Sequence, residues 1–558
     1  MSRLFFLLVL WVFPLLAGAS EKIGILVVAQ DRGTVGNQEL TATTADLDSE
    51  YPVKLLLIGP DYQGIENGYK DYINTAQSFF HERGANKIIA VPLFVSETDH
   101  HLGLFRDKIE TAMAPATLTW TPALEESYLL REIVLDRINS VSKTPETERI
   151  VLWLSGASDT TSAANLQSLG ERLLNDIRPH ITFSETAVAV TYANTVSGLE
   201  VETAKTETEA LVERFSKAGH TLIIPVAIGP KATPHMSLEA SLARDYGRNG
   251  ARVAKSLMPH PAVRTWLQRM VNAHVPVTEE TLGIIIMPHG ATAPYNDGII
   301  AAMPSMVERY PTAFAFGMAS SFTIAQAVKE LENAGVRHGV FLRLYALPRH
   351  LREASDYILG LRLTPPTHNH GGIPERVHTS ISFVTTGGYQ TDPLISEILK
   401  DRVLEVSQNP PQESVLLLSH GGRSDETNAA DLALITDHNI AAIKAALPSP
   451  FRDIRAMSLR EDWPDKRAKA VREIRAFIEQ ANKGEGRAIV VSNRLYGSGP
   501  YATHLDGLEY VMNGQGLIPH SNFTRWVEKS LRKSIATLKA GAQRQSTDIA
   551  ASHPSLSH

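Results

Sequence analysis

One short apolar run occurs twice in this 558-residue chain, and the second copy ends in a histidine that the first lacks. Gly24-Ile25-Leu26-Val27-Val28-Ala29-Gln30 leads into Asp31 to Asn37, and Gly283-Ile284-Ile285-Ile286-Met287-Pro288-His289 leads into Gly290 to Asn296. Other anchors follow in the same order in both halves. Tyr128 to Arg137 matches Pro393 to Arg402, Val151 to Ser155 matches Val415 to Ser419, and Asn249-Gly250 matches Asn513-Gly514. Pro259-His260 with Trp266 matches Pro519-His520 with Trp526. Each match is weak alone. Their preserved order predicts an internal duplication into two modules, residues 20–275 and 279–541.

Within each module, short β-branched runs alternate with longer amphipathic stretches. Strands are expected at Ile23–Ala29, Lys54–Ile58, Lys87–Phe94, Ile150–Leu154, Ala187–Tyr192 and Thr221–Ala227. The second half offers Leu282–Met287, Ala313–Phe316, Gly339–Tyr345, Ser414–Leu418, Ile454–Ser458 and Arg487–Ser492. Continuous apolar strands separated by helices read as parallel sheets covered on both faces. Gly84, Gly219 and Gly335 each follow a predicted helix, where a C-cap glycine belongs. The fold class is α/β, with four parallel-sheet lobes arranged as two tandem bilobal modules. The lobes are expected near 20–114, 115–273, 279–363 and 377–541, the second and fourth opening on short strands near Leu118 and Ile381.

The start of the chain reads as an export signal: Arg3, an apolar run from Leu4 to Leu16, then Ala17-Gly18-Ala19 as a small-residue cleavage site. The apolar run is shorter than the roughly 20 residues that span a bilayer. Residues 1–19 are therefore expected to be removed after Ala19, giving a periplasmic or secreted protein without stable membrane insertion. The chain has no cysteine, so disulfides, zinc thiolates and thiol nucleophiles are excluded. Its formal charge is -6 with mixed signs, and no basic cluster points to nucleic acid. Residues 542–558, rich in Ser, Gln and His, read as a disordered tail.

The chemistry-bearing residues are histidines at strand ends. Pro288-His289-Gly290 closes the first strand of the third lobe, and Ser419-His420-Gly421-Gly422 closes that of the fourth. Ligands of open parallel sheets bind beyond the carboxyl ends of the strands. Each lobe also has a histidine after its last apolar strand: His100 and His101, His235, His350 and His504. Two imidazoles from different strand ends can hold a divalent ion such as cobalt, nickel or iron, and can also take a proton near neutral pH. The plainer reading makes them surface or cap residues. His260 and His520, each before a helix, fit a helix-start role better than a site. The Pro/Gly-rich stretch 364–374, with His368 and His370, reads as a polar linker ahead of a metal loop.

These motifs carry a resemblance. The strand-His-Gly-x-x-x-Pro-x-Asn pattern at His289 resembles the opening of class II tetrapyrrole metal chelatases. Val91 to Ser96 with His100 is similar to their second signature. Asp392-Pro393-Leu394, Glu397-Ile398-Leu399 and Asp401-Arg402-Val403 resemble the element that joins the lobes of long sirohydrochlorin cobaltochelatases and ferrochelatases. The resemblance implies bilobal domains that clamp a planar tetrapyrrole, with histidines binding the metal and helping to remove the pyrrole protons. Carried over by position, His289 and His350 are the catalytic pair, and His289, His350, His420 and His504 are the metal ligands. The first module departs from the pattern, with Gln30 for the first His and Gly156 where His420 stands. A glutamine amide is a poor transition-metal ligand and no base near neutral pH. The C-terminal module is therefore expected to hold the site.

Two functional readings stay open. One is an exported lyase that inserts cobalt, nickel or iron into a sirohydrochlorin-type tetrapyrrole. The other is a periplasmic carrier that binds metal or tetrapyrrole without turnover. A third, weaker reading is a duplicated structural scaffold that binds neither. The partners implied are a tetrapyrrole and a metal ion. One duplicated chain in place of a dimer points to a monomer.

Overall fold

The computed structural model describes residues 22–45, 47, 50–59, 66–229, 237–367, 372–447 and 449–541. The expected export signal, the tail, His235, His368 and His370 lie outside these residues. The first sheet contains β1 (Ile23–Gln30), β2 (Val53–Ile58), β3 (Lys87–Leu93) and β4 (Thr117–Trp120), in the order β2-β1-β3-β4. The second contains β5 (Arg149–Ala157), β6 (Glu185–Tyr192), β7 (Thr221–Val226) and β8 (Arg252–Val253), in the order β6-β5-β7-β8. The third has β9 (Leu282–Met287), β10 (Thr312–Phe314), β11 (His338–Arg343) and β12 (Ser382–Gly387), in the order β10-β9-β11-β12. The fourth has β13 (Glu413–Ser419), β14 (Asp453–Ser458) and β15 (Arg487–Ser492), in the order β14-β13-β15.

All these strand pairs are parallel. The molecule is thus α/β, with four parallel-sheet lobes and flanking helices. Strands β1, β7, β9 and β11 are buried along their whole length, as continuous apolar runs in two-sided parallel sheets must be. One expectation is corrected. The strand near Leu118 is β4, which pairs with β3, and the strand after Ile381 is β12, which pairs with β11. They complete the first and third sheets instead of opening the second and fourth. Register set by a distant partner, which local pattern does not reveal, decides their membership.

Helices between sheets join the lobes in pairs. The helices Tyr128–Val141 and Pro261–His274 place Leu130, Val134, Trp266 and Leu267 in one core with Val27 of β1 and Leu152 of β5. The helices Pro393–Leu404 and Ser521–Gly541 do the same for β9 and β13 through Ile398, Leu399, Trp526 and Leu531. Helices not expected from sequence include Gly33–Thr44, a Thr- and Gly-rich segment whose propensity is overridden by packing.

The two halves repeat local bonds as well as strand order. Arg137 Nη2 donates to the Pro259 carbonyl (2.7 Å), and Arg402 Nη2 to that of Pro519 (2.7 Å). His260 Nδ1 accepts from Ala262 N, and His520 Nδ1 from Asn522 N, each 3.1 Å, so each caps its helix. Their Nε2 atoms face Asp136 (3.1 Å) and Asp401 (3.3 Å). Glu148 takes hydrogen bonds from Ser142, Lys143 and Arg252, and Glu413 takes them from Ser407, Gln408 and Arg487.

The halves meet at 376–381, just before β12. Tyr128 Oη donates to the Val377 carbonyl (2.8 Å), and Arg269 Nη1 to those of Thr379 (3.2 Å) and Ile381 (3.0 Å). Asn272 Nδ2 donates to Ser380 O (2.8 Å), and the Arg376 guanidinium lies 5.5 Å from the Tyr128 ring centre. His338 is buried here, its Nε2 2.7 Å from the Asn272 carbonyl, which makes it part of the junction.

Burial disfavours the charged form of Glu148, but its hydrogen bonds outweigh that cost and hold the carboxyl down to about 2. Such a group adds stability above its unfolded value, and that stability is lost as pH falls towards the folded one. Glu148→Gln should lower unfolding free energy at pH 7 by about 1–3 kcal/mol. In denaturant melts across pH, the gap to wild type should close as pH falls from 4.5 to about 2. A gap that stays constant over that range would contradict the assignment.

Candidate functional site

Shared cores aim the carboxyl ends of two sheets at each other in each module. In the C-terminal module, His289 stands two residues past the end of β9 and His420 one residue past the end of β13. Both must turn at once, and the following glycines allow it. Gly290 has φ +77 and Gly421 φ +95; a Cβ at Gly421 would stand 2.9 Å from Ser458. An asparagine then locks each turn. Asn296 Oδ1 accepts from Ala291 N (3.0 Å), and Asn428 Oδ1 from Gly422 N (3.1 Å). The first lobe uses Asn37 in the same way, with Arg32 N at 2.8 Å. The asparagine of the sequence pattern thus shapes the loop.

His350 is positioned by Arg343, which is 2% exposed at the end of β11. Arg343 Nη1 donates to the carbonyls of Pro348 (2.7 Å) and His350 (2.9 Å). Leu351, the next residue, has φ +55, a conformation that non-glycine residues hold only when the surroundings impose it. Burial pushes the His350 imidazole below its ordinary value, Asp431 opposes this, and Arg349, Arg343 and His420 reinforce it. His350 is therefore held towards the neutral form that offers a lone pair. The lobes are tied beside it by an ion pair between Arg349 of the third and Asp431 of the fourth.

His420 points its Nδ1 at the Gly421 carbonyl (2.9 Å) and its Nε2 at Asp462 Oδ2 (3.2 Å). Trp463 meets the ring edge to face at 6.0 Å. Behind it, Arg460 (φ +56) bonds Asp425 and the Arg423 carbonyl, each at 2.8 Å. Lys466 and Arg460 hold the Asp425 carboxyl down to about 2. The structure thus brings His350 and His420 within electrostatic reach of each other. His289 is exposed, with Nδ1 2.8 Å from Gly290 O. His504 ends a short helix whose Tyr501 packs with Ile474 and Ile478 on the far layer, and its carbonyl accepts from Arg475 (3.2 Å). Among the described residues, no three His, Asp or Glu side chains form a ready-made metal cage.

The N-terminal module differs. His101 is buried, and the Gln30 amide stands 3.2 Å from its Nε2 and 3.3 Å from its Nδ1. The residue in place of the first histidine therefore engages the second. His100 and His101 sit on the first turn of the helix His100–Met113, capped by Asp99. Sequence did not foresee a cavity of about 560 Å³ between these lobes, reaching from Gln30 and His101 past Ser155 to Leu242 and Tyr246. Nor did it foresee Arg343, Asp431 or Asp462; only the adjacency of Arg349 to His350 was visible.

No protein-family model matches the chain, and no curated protein does. The solved structure of SirB from Bacillus subtilis with Fe3+ aligns over 45% of this chain and 94% of its own, at a TM-score of 0.34 and 16% identity. A likeness this distant assigns no activity to this chain.

The Asp431 carboxylate raises, and Arg349 lowers, the proton affinity of His350. In histidine NMR titrations, Asp431→Asn should move the His350 midpoint down and Arg349→Met should move it up. Equal or reversed shifts would contradict this geometry.

Proposed function

We propose that this chain is an exported chelatase-like protein, built by duplication from one bilobal module. In this reading it inserts a divalent ion into a sirohydrochlorin-type tetrapyrrole at the cleft between the third and fourth lobes. Cobalt, nickel or iron is the substrate ion. The observation that carries the reading is that His420 of the fourth lobe acts electrostatically on His350 of the third, with Asp431 and Asp462 beside them. The sequence resemblance at His289 and at Asp392 to Val403 supports it.

The chemistry asks for two things. The ion must shed water, and the macrocycle must lose two pyrrole protons. His350, held neutral by burial, offers a lone pair for either task. Asp462 Oδ2, 3.2 Å from His420 Nε2, orients that ring. His289, exposed just past β9, is the further imidazole that the resemblance assigns to this site. A two-imidazole site holds the ion loosely enough to give it up, which suits a substrate better than a resident metal. The degenerate first module, where Gln30 engages His101, supports the second reading, a carrier that holds pigment or ion without turnover.

Visible absorption with sirohydrochlorin and cobalt separates these. The enzyme reading expects catalysed metallation, reduced about 10²-fold or more in His350→Ala and His420→Ala, with His504→Ala close to wild type. Saturation at one pigment per chain with no rate above background would establish the carrier. No spectral change with cobalt, nickel or iron would refute both.

A further inference from the structure

Three buried amide side chains tie the third lobe to the fourth, and the chemistry described so far does not use them. Gln390 follows β12 of the third sheet and is 3% exposed. Asn439, in the helical segment 425–446 between β13 and β14, is 0% exposed, and Asn493, just past β15, is 7% exposed. Gln390 Nε2 donates to Asn439 Oδ1 (2.8 Å) and, at greater length, to Asn493 Oδ1 (3.4 Å). Asn493 Nδ2 donates in return to Gln390 Oε1 (3.1 Å). Asn439 Nδ2 donates to the Gln390 carbonyl (3.1 Å) and to Ser396 Oγ (2.9 Å). An apolar seam would bury as much surface but could slide; directional bonds among buried amides hold one arrangement.

The cluster reaches both imidazoles through the backbone. Gln390 N donates to the Ala346 carbonyl (2.9 Å), and a Cβ at Gly388 would collide with Pro348. The Gln390 loop therefore packs directly on the stretch that leads to His350. Asn493 N donates to the carbonyl of Leu418 (2.8 Å), in β13 just before His420. The segment that carries Asn439 also carries Asn428, which locks the turn after His420, and Asp431, which pairs with Arg349 beside His350. The first module makes the same backbone step, Glu125 N to the Val95 carbonyl (2.9 Å). Its carboxylate, however, turns back into its own lobe, to Ser96 Oγ (3.0 Å) and Glu97 N (2.7 Å). Among the described residues, the amide cluster stands in the module that keeps the strand-end histidines.

We propose that Gln390, Asn439 and Asn493 are positioning residues of the C-terminal cleft: their amide cluster holds the third and fourth lobes at the one separation that presents His350 and His420 to the same ion. They act through the backbone at Ala346 and Leu418, and not by contact with the ion. The inference deepens the function proposed above and rests on it for the ion. The lobe-to-lobe separation itself does not depend on that reading.

The chain has no cysteine, so Phe322→Cys in the third lobe and Lys469→Cys in the fourth, both exposed, take two spin labels and no others. Pulsed electron resonance on the labelled full chain should give one narrow distance distribution. Gln390→Leu and Asn493→Ala should each broaden or split it. Cobalt uptake, titrated by visible absorption without pigment, should weaken about tenfold or more in the same two variants. Thermal melts confirm folding, and either variant alone suffices where the other fails to fold. A narrow, unshifted distribution in a folded variant would overturn the proposal, and so would wild-type cobalt affinity in a variant whose distribution has broadened. A wild-type chain that takes up no cobalt counts against the function above; the distances, which need no metal, then decide this inference.

Discussion

A parallel sheet must cover both faces, and that requirement organises this molecule. No three- or four-stranded lobe covers both faces with its own helices. The helices Tyr128–Val141 and Pro261–His274 serve two sheets at once, and Pro393–Leu404 and Ser521–Gly541 do the same in the second half. Burial of Trp266, Leu267, Trp526 and Leu531 at these seams contributes roughly 1.5–3 kcal/mol per side chain. Two sheets fused through one core cannot choose their mutual angle freely. Their carboxyl ends therefore look into a common cleft, and whatever stands at the strand ends becomes a site.

The residues at those ends decide what each cleft can do. A strand that stops at a histidine and must turn at once needs glycine, and Gly290 and Gly421 supply the left-handed backbone. The turn is then held by Asn296 or Asn428, so the imidazole is presented from a fixed loop. Arg343, buried at the end of β11, performs the same service for His350 from behind. In the first module the turn and its asparagine remain, but Gln30 engages His101. The two halves share strand order and local bonds and differ at the ends of their strands.

Much of this was legible in sequence, and what was not has a physical reason. Strand identity followed from β-branched apolar runs, because two-sided burial tolerates little else. The strand-end positions of His289 and His420 followed from the glycine beside each. The sheet membership of β4 and β12 did not, since their neighbours lie outside any local window. The ion pair of Arg349 with Asp431 and the contact of His420 with Asp462 join residues far apart or in different lobes, and charged residues scattered along helices carry no pattern that pairs them. The cavity beside Trp153 arises where two lobes fail to close, a property of the packed molecule. The junction at 376–381 follows the stretch read as a linker and was expected to open the fourth lobe, yet its backbone carbonyls receive Tyr128, Arg269 and Asn272.

The central claim is that the C-terminal cleft, and not its N-terminal counterpart, receives the metal ion. Anomalous diffraction at the cobalt edge from crystals soaked in cobalt tests it directly. The account predicts a peak within coordination distance of His350 or His420, and none at His101. A peak at His101, or strong occupancy confined to sites away from both clefts, would contradict it.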